Sequence, residues 1–174
     1  MAPDAAAAAL ARHLELIDSA VAAHGGLPAG GTSESDGVLA VFGSTAEAVA
    51  AALAVQQAFA AEAWPMGPTI RVRIGVYTGE VRGRDGRDDT GLATVRCARL
   101  RDVANGGQTL LSSATASLAA DALPEGSWLV DLGYAGCETC LGQSVCSSCV
   151  IATCPTGSHR CARWTCCPTT CRSS

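Results

Sequence analysis

The sequence predicts an α+β fold, a mixed sheet with helices packed on it, followed from about residue 134 by a cysteine-rich tail with no stable structure of its own. Three observations lead there. Segments with helical spacing alternate with short apolar runs in the order α, β, α, β, α, β, α, β across residues 5–133. The run at 69–81 alternates apolar and polar side chains with the period of a half-buried strand. After Leu141 the chain has neither leucine nor phenylalanine, so it cannot bury enough apolar surface to offset the entropy of ordering.

In chain order, residues 5–23 place Leu10, Leu14, Ile17 and Val21 at helical spacing, and "HGG" supplies the glycines that helix C-termini favour. His13 and His24 read as surface or helix-end histidines. A Gly/Pro/Ser-rich loop leads to "VLAVF" (38–42), a short buried strand. Ser44 and Glu47 form a capping box for an alanine-rich helix that runs to Glu62. In 69–81, Ile70, Val72, Ile74 and Val76 face inward. A charged, glycine-rich turn precedes a helix at about 92–103, "QTLLS" is a strand, "SATASLAADAL" a helix and "SWLVDLG" a strand. The helices are expected on one face of the sheet.

A chain of 174 residues, 48% hydrophobic and 16% charged, accommodates one core and a small appendage, here residues 1–133 and 134–174. The formal net charge is −4, and neither part is basic enough for a nucleic-acid footprint. No apolar run approaches the roughly 20 residues of a spanning helix. The start, "MAPDAAAAAL", lacks the pattern of a signal peptide. A cytoplasmic protein with reduced thiols, without membrane or nucleic-acid partners, is expected.

A string of motifs then carries a resemblance: "HGG" (24–26), "DGVLAVF" (36–42), "RVRIGVYTGEV" (71–81), "GLATVRCARLRDVANGGQTLLS" (91–112) and "ALPEGSWLVDLG" (122–133). Over residues 4–133 the sequence resembles the class III adenylate/guanylate cyclase domain. It is most similar to the cyclase-like domains that open ATPase-type transcriptional regulators of high-GC bacteria. The resemblance implies a ferredoxin-like fold. It also implies a site where two aspartates hold two magnesium or manganese ions while an asparagine and an arginine four apart orient the ribose and stabilise charge on the phosphate.

Carried over residue by residue, Asp36 matches the second metal aspartate, while the first, in a strand preceding the first helix, has no counterpart in this sequence. Thr32 replaces a base-reading lysine, and Asp88 falls at the base-selecting position. Val95 stands where the asparagine would be, Arg99 keeps the arginine, and Cys97 reads as a small buried apolar group. The resemblance thus implies a truncated domain that binds ATP or GTP at most weakly and does not turn over. No cofactor is expected, with magnesium or manganese relevant only if activity remains. Homodimers or heterodimers through the cyclase domain follow from the family's habit of forming sites between two domains. The enzyme alternative is an active adenylate cyclase subunit that completes its site with another chain.

In the tail, Cys137, Cys140, Cys146 and Cys149 form two CxxC pairs, the chemistry of a zinc-binding interaction module. The pairs are closer together than the usual finger spacing, and the remaining cysteines make no second pattern. A third reading uses the genetic code. The chain has no lysine and a single asparagine, Asn105, which points to a GC-rich gene in which a shifted CTG leucine codon reads as cysteine. Codons permitted by residues 137–146 regroup to L-R-D-L-S-R-P-E-R-V, and those of 152–171 to a similarly family-like string. The sequence therefore reads as frameshifted near Gly133 or Tyr134.

Overall fold

The computed structural model describes residues 3–29, 37–64, 70–79, 91–134 and 147–153, with side chains over 6–29, 37–64, 70–79 and 91–132. The elements are α1 (Pro3–Ala23), β1 (Leu27–Pro28), β2 (Ala40–Val41), α2 (Thr45–Ala61), β3 (Ile74–Val76), α3 (Gly91–Val103), β4 (Thr109–Ser112), α4 (Ser113–Ala119) with a 3-10 turn at Ala120–Ala122, β5 (Ser127–Tyr134) and β6 (Ser147–Thr153). β3, β4, β6 and β5 lie side by side in that order. β3 runs parallel to β4, and the other two pairings are antiparallel, so the sheet is mixed. β1 and β2 form a separate antiparallel pair, Leu27 opposite Val41. The α+β class and the mixed sheet carrying helices are as the sequence predicts.

Local chemistry sets the helix ends. At the end of α1, Gly25 adopts φ 71°, Gly26 N–H donates to Val21 O and Gly25 N–H to Ala22 O. This is a Schellman stop, which requires the left-handed residue. The capping box of α2 is present in full: Glu47 N–H donates to Ser44 Oγ and Ser44 N–H to the Glu47 carboxylate. α4 starts on Ser112, whose Oγ accepts from Thr115 N–H.

The core divides across the sheet. Leu111 packs with Val49 and Leu53 of α2 and Ala116 and Ala119 of α4, joined by Val76 and Leu129. Leu110, its neighbour in β4, packs with Leu100 and Ala104 at the end of α3. Successive strand residues face opposite ways, so α3 covers the face opposite α2 and α4. This corrects the expectation of helices on one face. The spacing of apolar residues shows that a helix has a buried side and says nothing of which sheet face it meets.

Two further expectations change. The packed side of α1 is Leu16, Ile17 and Ala20 against Val55 and Phe59, with His13 edge-on to Phe59 at 5.1 Å, whereas Leu10 and Leu14 are exposed. His13 is therefore a packing residue. The tail is also structured at Ser147–Thr153: β6 pairs with both β4 and β5, Val150 lying in register with Leu110 and Val130. Main-chain pairing needs no large side chains, and a stretch containing Val150, Ile151 and Thr153 has β propensity enough to fill the place between two strands. The inward set Ile70, Val72, Ile74 and Val76 is observed, although the strand proper spans only Ile74–Val76.

α3 can lie on β3 because the strand has no side chain at Gly75. A Cβ there would stand 2.7 Å from Cys97 O and 2.8 Å from Arg101 N, both main-chain atoms that no rotamer change can move. Gly75→Ala is expected to lower stability by about 1–3 kcal/mol through overpacking, measured as a reduced urea midpoint with an unchanged slope.

Candidate functional site

The surface to which the sequence assigns chemistry is built on α3 and the end of β3. Four hydroxyls fix that end. Thr78 N–H donates to Thr115 Oγ1 at 2.9 Å, and Thr115 Oγ1 donates to Thr78 Oγ1 at 3.1 Å. Ser112 Oγ lies 2.7 Å from Thr115 Oγ1, and Thr45 Oγ1 lies 3.3 Å from Thr78 Oγ1. Thr115 is fully buried, so this network ties β3 to the starts of α2 and α4 without leaving a buried donor unpaired. On the α2 side, Gln56 Nε2 donates to Thr109 Oγ1 and Val72 O.

Across the sheet, α3 is held by the Cys97 thiol, which donates to Gly75 O at 3.2 Å. Burial raises the Cys97 pKa above its ordinary value of 9.0 despite the nearby charge of Arg101. Because the folded value is the higher one, this thiol contributes stability below about pH 9 that is lost as pH rises through the raised folded value. Further along, Arg96 Nη1 donates to Tyr77 Oη at 2.8 Å, its guanidinium carbon 5.9 Å from the ring centroid.

Arg99 sits exposed on the outer side of α3, one turn beyond Val95, which is 45% exposed. The i, i+4 geometry that the resemblance implies for these two positions is therefore present, with an isopropyl group where an amide would be. Leu92 and Val103 extend the same exposed side. Asp36 and Asp88 lie outside the described residues, as do Cys137, Cys140 and Cys146; Cys149 is in the middle of β6, opposite Leu111 and Asp131. Among the described residues no three His, Cys, Asp or Glu side chains come together as a metal site, and Cys97 is a free cysteine.

Arg101 is the residue that the motif reading passed over. Its Nε and Nη2 donate to Asp102 Oδ1 at 3.0 and 2.7 Å. Its Nη1 lies 2.8 Å from where a Cβ on Gly37 would be, so the guanidinium rests against the residue that follows Asp36. The sequence signal was Gly75 itself, since a glycine inside a strand pattern marks a close backbone approach, here that of the α3 turn bearing Arg101.

No protein-family model matches the chain. Uncharacterized proteins of Mycobacterium tuberculosis and Mycobacterium bovis are 41% identical over 133 residues, 76% of this chain, which spans only 44% of their length. Adenylate cyclases from Trypanosoma brucei, solved in their monomeric state, superpose with a TM-score of 0.74 at 20% identity, covering 90% of this chain and 82% of theirs. The adenylate/guanylate cyclase/hydrolase from Silicibacter pomeroyi gives 0.62 at 29% identity, covering 79% and 75%. No helix among the described residues is long and apolar enough to cross a membrane.

Native packing around Cys97 has a measurable consequence. At pH 8, iodoacetamide followed by peptide mass mapping is expected to modify Cys97 at least about tenfold more slowly in the folded chain than in urea, as its pKa direction and burial require. Equal rates would mean that α3 does not rest on β3. The chain carries a class III nucleotidyl cyclase-like domain and is homologous to uncharacterized mycobacterial proteins.

Proposed function

We propose that this domain is a catalytically silent class III nucleotidyl cyclase-like unit of a cyclic-nucleotide signalling or transcriptional regulatory protein. The observation that carries the reading is Val95 one helical turn before Arg99 on the exposed side of α3. A valine offers no donor or acceptor to a ribose, and losing one preorganised polar group at such a site costs roughly 10²–10³ in rate. A second cyclase-like domain, in a homodimer or heterodimer, would pack on the same side of α3, where Leu92, Val95 and Val103 leave apolar surface exposed. Residues 134–174 are read as the product of a shifted frame, a reading that the nucleotide sequence of the locus decides.

The test is direct. Purified chain with ATP or GTP and Mn²⁺ is expected to form no cyclic nucleotide above background, and Val95→Asn alone is expected not to restore turnover. Cyclic AMP formed on mixing with an intact cyclase chain would replace this reading with that of an active heterodimer subunit.

A further inference from the structure

We propose that β5 is a self-association edge: a second copy of this chain lays its own β5 antiparallel against it across a two-fold axis at Val130, joining the two four-stranded sheets into one. This surface is separate from the exposed side of α3 and does not depend on the reading given to that side.

The two edges of the sheet differ. β3 forms one of them. Its Ile74 N–H donates toward β4, to Gln108 O, so the main-chain groups of Gly75 point the other way. There the Gly75 oxygen accepts from the Cys97 thiol at 3.2 Å, and α3 closes that edge. β5 forms the other edge, is eight residues long, and among the described residues no strand pairs with its far side. It carries neither proline nor lysine, and its register shift lies beyond Asp131, so the devices that keep an edge strand from pairing are absent from its middle.

The side chains say what the edge pairs with. Val130 lies in register with Val150 and through it with Leu110, so it stands on the sheet face that α3 covers over β4. Trp128, Val130 and Leu132 alternate along the strand and are 36%, 37% and 48% exposed. An isologous pair requires a strand that complements itself. With Val130 opposite its own copy, Trp128 meets Leu132 of the second copy on the apolar face, and Asp131, the only charge in β5, meets Leu129 of the second copy on the other. A register centred on Asp131 would instead set two carboxylates side by side. The pairing that avoids this repulsion is the one that brings the exposed apolar side chains together.

The experiment is sedimentation velocity on the full chain, held reduced so that no cysteine cross-links form. A monomer–dimer equilibrium is expected, with a dissociation constant on the order of 10–100 μM, as suits an interface smaller than the roughly 800 Å² per partner of a standard complex. Val130→Lys and Val130→Glu, each checked for folding by circular dichroism, are expected to weaken dimerisation about tenfold or more by setting like charges at the axis, and an equimolar mixture of the two to restore it. Leu132→Lys serves if the Val130 variants do not fold, and is expected to weaken association about tenfold because its contact with Trp128 occurs twice in the dimer. Leu92→Asp, on α3, is expected to leave the constant unchanged. A chain that stays monomeric throughout, a dimer that survives both Val130 substitutions, a mixture no tighter than either variant alone, or a dimer lost on Leu92→Asp would each overturn the proposal.

Discussion

β4 must bury both of its faces. All four of its residues, Thr109 to Ser112, are inaccessible, with Leu111 turned toward α2 and α4 and Leu110 toward α3. A strand packed on both sides and paired along both edges has no polar face to give to water. α3 must therefore reach across β3 to cover Leu110, and β3 can pass beneath it only where its side chain is absent. Gly75 is that place, and the close approach it permits fixes the rotation of α3.

The rotation distributes the chemistry. Cys97, Leu100, Arg101 and Ala104 are turned toward the sheet and the segment entering β2, while Leu92, Val95, Arg99 and Val103 are turned away. Three arginines on four turns of helix thus have different surroundings. Arg96 is spent on Tyr77, Arg99 looks outward, and Arg101 is drawn against Gly37. The hydroxyl network on the opposite face holds Tyr77 and Thr78 in place beneath them, so the arginine environments are set from both sides of the sheet.

Much of this was legible in the sequence where a rule is local. The capping box at Ser44, the glycine stop after α1 and the inward set Ile70 to Val76 depend on neighbours a few residues away, and each reads correctly. The motif string likewise placed Val95 and Arg99 one turn apart. What failed depends on partners distant in the chain. Leu10 and Leu14 share a stripe with Ile17, yet α2 meets α1 through Leu16, Ile17 and Ala20. Counting leucines and phenylalanines in the tail overlooked that a strand between β4 and β5 is held by its main chain. Arg101 was invisible because the direction of a long side chain is settled by Gly37, 64 positions earlier in the numbering.

A scaffold can lose its chemistry without losing its fold when the two occupy different sides of one helix. Leu100 and Ala104 anchor α3 and are buried, whereas Val95 and Arg99 lie on the opposite, exposed side. An exchange of asparagine for valine at an exposed helical position changes stability by only about half a kilocalorie per mole. Packing therefore exerts little constraint on which residue stands at Val95. Gly75 is in the contrary position, because any side chain there would displace the helix that covers β4. The residues that keep the cyclase-like shape and those on the exposed side of α3 are thus separable in this chain, and the shape is the part its core enforces.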